Sequence, residues 1–136
     1  MSNAITVLIV DDNAYMRETL VYLLSQSPGI SVIGQAKNGM EAISMAEELF
    51  PDIILLDINM SPINGFEAGR KILKSNPAAK IIGISVHKQG SYARNMMQLG
   101  AKGYLTKTSP HKEILEAIQK VYSGEEYICE ELKGLL

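Results

Sequence analysis

Two adjacent carboxylates, Asp11-Asp12, follow the apolar run Ile5–Val10, and a third, Asp57, closes the run Ile53-Ile54-Leu55-Leu56. Ser85 ends the run Ile81-Ile82-Gly83-Ile84, and Lys107 follows the short run that ends at Leu105. Three carboxylates brought to one place repel each other unless a cation sits among them. Hard oxygen ligands and a partly hydrated octahedral set suit Mg²⁺, with Mn²⁺ as a substitute. Asp57, shielded in this way, could attack an electrophilic phosphorus as a carboxylate nucleophile. Lys107 would supply a point charge to the transferring phosphoryl oxygens, and the Ser85 hydroxyl would hydrogen-bond one of them. Any one of these acids, taken alone, is more simply read as a strand cap or a solvated loop residue. The set of them, at successive strand ends, carries the signal.

The elements that must position these side chains are legible as an alternation. Short apolar runs rich in β-branched residues (Ile5–Val10, Ile30–Ala36, Asp52–Leu56, Lys80–Ser85 and Lys102–Leu105) are separated by longer stretches with helical periodicity. Within three of the runs, Val7-Leu8-Ile9-Val10, Ile53-Ile54-Leu55-Leu56 and Ile81-Ile82-Gly83-Ile84 are continuously apolar, the pattern of strands covered on both faces in a parallel sheet. Met16, Leu20, Leu23 and Leu24 share one helical face, as do Ile114, Ile118 and Val121. Ala42, Ala46 and Leu49 make a smaller stripe, and Phe66, Gly69 and Leu73 another. Asn13 and Asn38 are predicted N-caps of the first two helices, and Pro28-Gly29 and Asn76-Pro77 are predicted turns or helix ends. Five such units predict an α/β doubly wound sheet with right-handed crossovers and helices on both faces. Ligands in such folds sit outside the carboxyl ends of the strands, where the acids, Ser85 and Lys107 lie.

Composition narrows the class. A chain of 136 residues is the size of one domain with a real core. Thirteen Lys and Arg against 15 Asp and Glu give a net charge of −2, so nothing points to a nucleic-acid or membrane surface. The single cysteine, Cys129, excludes an intrachain disulfide and fits a reducing, cytoplasmic setting. No apolar run approaches the roughly 20 residues needed to span a bilayer. Ser2-Asn3-Ala4 resembles a protease-cleavage scar, so residues 1–4 are set aside from the fold.

From about Thr6 to about Ile128 the sequence resembles the receiver domains of two-component response regulators. Asp11-Asp12 matches the acidic pair after the first strand, and Ile53 to Met60 matches the phosphoacceptor strand and loop. Gly65, Ser85 and the string Gly103-Tyr104-Leu105-Thr106-Lys107 fall where that family carries a loop glycine, a Ser/Thr and its fifth strand with lysine. The resemblance implies a flavodoxin-like five-stranded parallel sheet of order 2-1-3-4-5, with the receiver over 5–128 and a tail or start of a linker over 129–136. It implies Asp57 as phosphoacceptor, Lys107 and Ser85 as its catalytic partners, and Mg²⁺ held by Asp12, Asp57 and the Asn59 main-chain carbonyl, with Asp11 acting largely through water. It also implies Ser85 and Tyr104 as the switch pair, and Asn59 and His87 as positions that tune phosphoryl lifetime. The implied partners are a sensor histidine kinase, a second copy of the domain on phosphorylation, and a DNA-binding output domain in a longer protein. The domain itself would bind neither nucleic acid nor membrane, and it would be no enzyme beyond its own phosphorylation and slow dephosphorylation. The last helix and its sequel, Ile114 to Tyr127, resemble those of receivers joined to a helix-turn-helix domain in transcription factors; a single-domain regulator is the alternative.

The chain departs from the family pattern twice. Pro62 comes one residue late after Met60-Ser61, and Thr108-Ser109 stands where many receivers carry a proline directly after the lysine. Pro110 then fits the first turn of the last helix, with Ser109 as its predicted N-cap. An aspartyl-phosphate hydrolase on a similar core would need an acid two residues after its nucleophile, where this chain has Asn59. A flavin binder would need a phosphate loop where Asp11 and Asp12 stand, and a degenerate receiver would lack part of this set.

Overall fold

The computed structural model describes residues 4–134; residues 1–3, which include Ser2 and Asn3 of the expected cleavage scar, and residues 135–136 lie outside the described residues. The strands are β1 (Ile5–Val10), β2 (Ile30–Ala36), β3 (Ile53–Asp57), β4 (Ile81–Ser85) and β5 (Gly103–Thr106). Between and after them run α1 (Ala14–Ser25), α2 (Gly39–Leu49), α3 (Gly65–Ser75), α4 (Gly90–Leu99) and α5 (His111–Tyr122). Two further elements follow, β6 (Tyr127–Ile128) and the short α6 (Glu130–Lys133).

The sheet has six strands in the order β2-β1-β3-β4-β5-β6, every pairing parallel. The expected five-stranded sheet is corrected by β6, which adds to the free edge of β5. The Tyr127 amide donates to the Lys102 carbonyl and the Cys129 amide to that of Tyr104, both at 3.0 Å. An edge strand left bare would expose such groups. Two residues are too few to show any periodicity, which is why β6 escapes the sequence pattern.

All residues of β3, β4 and β5 are buried, as their unbroken apolar runs require. Helices α2, α3 and α4 pack side by side, while α1 and α5 meet along a cleft lined by Leu20, Leu24, Ile114 and Leu115. Asn13, Asn38 and Asn64 each accept a backbone N–H at the start of α1, α2 and α3 through their side chains. Ser109 does not cap α5. Pro110 occupies that position, and the Ser109 hydroxyl turns back to accept the Thr106 amide at 3.1 Å. In the segment after Ile128, Cys129 and Leu132 are both fully buried against the domain. Among the described residues, no helix is long and apolar enough to cross a membrane.

Candidate functional site

Strands β1 and β3 are neighbours in register, with Val10 opposite Leu56, so the residues that follow them emerge side by side at the carboxyl edge. Asp11, Asp12 and Asp57 each offer a carboxylate oxygen there, all within 4.8 Å of one another. Asp11 and Asp57 are fully buried and Asp12 is exposed. Lys107 arrives from the end of β5 and places Nζ 3.0 Å from Asp11 Oδ2 and 3.3 Å from Asp57 Oδ2. The contact to Asp57 is a hydrogen bond; the one to Asp11 is an ion pair without hydrogen-bond alignment, so Asp11 Oδ2 is left without a hydrogen-bond donor.

Each acid is also held from behind. Asp11 Oδ1 accepts the Asn13 amide and Asp57 Oδ1 the Asn59 amide, each at 2.9 Å. Burial, aided by the charge of Asp11, raises the Asp57 carboxyl from 3.8 to about 6, against the downward pull of the Asn59 amide and Lys107. Burial would lower the Lys107 ammonium, but Asp11 and Asp57 outweigh it and the net shift is upward. Three carboxylates and one ammonium leave a formal charge of −2, with one buried oxygen, Asp11 Oδ2, that meets the Lys107 ammonium but accepts no hydrogen bond. This donor set fits a divalent cation of the hard, oxygen-seeking kind.

Ser85 is buried at the end of β4. Its hydroxyl donates to Asn59 Oδ1 at 2.7 Å and accepts the His87 amide at 2.9 Å. Tyr104 is buried with its ring against the space left by Gly83, beside Met96, and its hydroxyl has no hydrogen-bond partner among the described residues. That burial pushes it up to about 12, with the nearby Ser85 hydroxyl pulling the other way. Asp11, Asp12, Asp57 and Lys107 are thus brought together, Ser85 is joined to the loop after Asp57 through the Asn59 side chain, and the Tyr104 hydroxyl lies near Ser85. The His87 ring packs at a tilt against Tyr92, 4.6 Å between ring centroids with 51° between planes, which sets its imidazole beside α4.

Three contacts were not anticipated. The Asn59 side chain, not only its backbone, takes part, since it holds Ser85. Arg17 Nη1 donates to the Asp11 carbonyl at 2.8 Å and so braces the loop that carries the acidic pair. As the only basic residue of α1, one turn beyond the N-cap Asn13, it was the one available signal. Glu131 of α6 binds the hydroxyls of Thr106 and Thr108 on either side of Lys107. No local pattern marked it.

The raised Asp57 makes a stability prediction. A carboxyl whose folded-state pKa lies above its ordinary value stabilises the fold in its protonated form; that contribution is complete below 3.8 and is lost as pH rises through about 6. Without metal at pH 8, Asp57→Asn is expected to be more stable than the parent by about 2 kcal/mol. The difference should shrink toward zero by about pH 4. Urea unfolding in EDTA at both pH values checks this, and a variant less stable at pH 8 would refute it.

Residues 7–119 match the response regulator receiver domain family, and the chain belongs to that family. It is similar to the response regulator GacA of Pseudomonas viridiflava, 38% identical over 94% of this chain and 60% of that protein. The response regulator UvrY of Escherichia coli is also 38% identical, over 94% of this chain and 59% of that protein. The chain thus spans about 60% of the length of these curated relatives. Among solved structures, a LuxR-family two-component response regulator from Aurantimonas superposes with a TM-score of 0.93 at 29% identity, covering 96% of this chain and 94% of that one.

Proposed function

We propose that this domain accepts a phosphoryl group on Asp57 from the phosphohistidine of a sensor histidine kinase, with Mg²⁺ bound at Asp12, Asp57 and the Asn59 carbonyl and with Asp11 acting largely through water. One observation carries the reading: a fully buried Asp57 whose carboxylate shares one ammonium with Asp11 and one divalent-sized excess of negative charge with Asp11 and Asp12. Mg²⁺, when bound, offsets the carboxylates and the charge on the transferring phosphoryl oxygens.

The chain's own residues do the rest. With its pKa near 6, Asp57 is mostly ionised at neutral pH and available as the nucleophile. Its oxygen forms the new bond to phosphorus as the phosphorus–nitrogen bond of the donor breaks, and the imidazole keeps that electron pair. Lys107 meets the phosphoryl oxygens with an ammonium already poised beside Asp57. Ser85 leaves Asn59 for a phosphoryl oxygen, and Tyr104, already buried behind it, follows the hydroxyl. Water then hydrolyses the acyl phosphate slowly, with Asn59 and His87 at the rim. The domain modifies itself and turns over no metabolite. A cytoplasmic location, a homodimer on phosphorylation, and a DNA-binding output domain that controls transcription belong to the same reading; the greater length of the relatives supports the last.

The test is an intact-mass measurement after incubation with acetyl phosphate and Mg²⁺. The expected result is a gain of one phosphoryl group that is lost in EDTA and in Asp57→Asn. No gain, with phosphoramidate also failing, would sink the reading.

A further inference from the structure

Lys107 lies on a turn that carries no proline directly after it; Thr108 and Ser109 stand there instead. On one side its backbone is fixed by its own amide, which donates to the Ser85 carbonyl at 2.8 Å. On the other side stands a cluster of hydroxyls. Thr106 Oγ1 lies 3.1 Å from Thr108 Oγ1 and 3.3 Å from Ser109 Oγ, and Ser109 Oγ also accepts the Thr106 amide. The three hydroxyls carry three protons, and the two contacts among them use at most two, so at least one proton is left for an outside acceptor; Thr106 and Ser109 are buried. Glu131 completes the set. Its Oε1 accepts from both Thr106 Oγ1 and Thr108 Oγ1, and its Oε2 lies 3.4 Å from Lys88 Nζ in the loop after Ser85.

Glu131 is 25 residues from Thr106 in sequence, and its position is set by what lies next to it. Leu132 and Cys129 are fully buried, and the Cys129 amide is bonded to the Tyr104 carbonyl of β5. The Thr106 hydroxyl first, then Thr108 and Lys88, hold the Glu131 carboxyl below the usual carboxylate range. A carboxylate that takes two hydroxyl protons on either side of Lys107 fixes both flanks of the residue that bears the ammonium. The Lys88 pair is exposed and adds little.

We propose that Glu131 is a positioning residue for Lys107: by clasping Thr106 and Thr108 it sets the Lys107 ammonium against Asp57, so that phosphoryl transfer depends on the seating of α6. The proposal rests on the assignment of Asp57 and Lys107 above. It ties the chemistry to the segment that follows the receiver, because a shift of α6 releases both flanks of the lysine at once.

The initial rate of Mg²⁺-dependent phosphorylation by acetyl phosphate tests it, alongside urea unfolding of each variant. Glu131→Ala is expected to slow the reaction about fivefold, a fraction of the roughly hundredfold that a 1 Å misplacement can cost. Glu131→Gln keeps an oxygen that accepts from both threonines and is expected to restore the parent rate. In a Lys107→Ala background, Glu131→Ala is expected to cause no further slowing, because it acts through the lysine. Thr108→Val, which breaks one arm of the clasp without touching α6, is expected to slow the reaction about twofold and reads the same link if Glu131→Ala fails to fold. A parent-like rate in Glu131→Ala, equal slowing by Ala and Gln, or an undiminished effect in the Lys107→Ala background would each overturn the proposal. A parent that takes no phosphoryl group, or a Lys107→Ala variant as fast as the parent, would instead bring down the underlying assignment.

Discussion

Lys107→Ala is expected to lose about 3 kcal/mol of stability at pH 8 without metal and to accept a phosphoryl group about a hundredfold more slowly. Both effects have one cause. Asp11 and Asp57 are fully buried, and the Lys107 ammonium, only 14% exposed, is the cation within 3.3 Å of both. Removing one partner of such a group strands charge in a poorly solvated place, which costs more than the intact group ever contributed. The stability loss should itself depend on pH. Asp57 already titrates near 6 with the lysine present, and without it the carboxyl must move further up. Protonation in the folded state then relieves the repulsion, so the deficit should be largest above pH 7 and should fall steadily toward pH 5. Added Mg²⁺ should recover part of the stability, since the cation takes over the charge balance, but not the rate. Urea unfolding at pH 8 and pH 5, with and without Mg²⁺, separates these terms. A deficit independent of pH would mean that lost packing of the lysine stem, not charge, dominates.

Opposite signs for Lys107→Ala and Asp57→Asn follow from the same electrostatics. Asp57→Asn removes one of the repelling charges and should stabilise, whereas Lys107→Ala removes the attraction and should destabilise. On the proposed function, the site is held away from its stability optimum, since a nucleophilic carboxylate must stay buried and charged.

Much of this fold is legible in the sequence. β1 and β2 have the bounds that their apolar runs predict, β4 starts one residue later than its run, and β3 and β5 are displaced by one residue at both ends. Strands covered on both faces write their periodicity into every residue, and the strand-end rule then carries Asp11, Asp12, Asp57, Ser85 and Lys107 to one edge. What escaped has a common physical character. β6 is two residues long and owes its conformation to the edge of β5, not to its own propensity. Ser109 carries the sequence signature of an N-cap, yet its hydroxyl is drawn to the Thr106 amide, a tertiary contact that a local rule cannot weigh. The Asn59 grip on Ser85 spans 26 residues and the Glu131 clasp 25. Such hydrogen bonds leave no periodic trace, because each joins a single pair of positions fixed only once the sheet is assembled.

Gly65→Ala is expected to destabilise the domain by about 3 kcal/mol, the upper end of what overpacking costs, and to impair phosphorylation with it. Gly65 opens α3 and is buried, and its amide donates to the Ile58 carbonyl at 3.1 Å. A Cβ there would stand 2.4 Å from Ile58 Cα and 2.7 Å from the Asp57 carbonyl oxygen. Both neighbours are backbone, so no rotamer change can make room. Either α3 lifts away from the phosphoacceptor loop or Asp57 and Ile58 are pushed toward the acidic cluster. The first opens the packing of Ala68 and Ile72, which lie buried on the same helix. The second moves the nucleophile relative to Lys107, where a misplacement of about 1 Å can cost about a hundredfold. The need for glycine here is one of space and not of backbone conformation, which sets it apart from Gly29, where φ is +87° but nothing lies within 4 Å of an added Cβ. Gly134→Ala, with open space at the Cβ, is the matched control and should be near neutral. Urea midpoints and phosphorylation rates of the two variants decide the matter: if Gly65→Ala matches Gly134→Ala in both, the loop around Asp57 yields freely and the close approach of α3 does not hold the nucleophile in place.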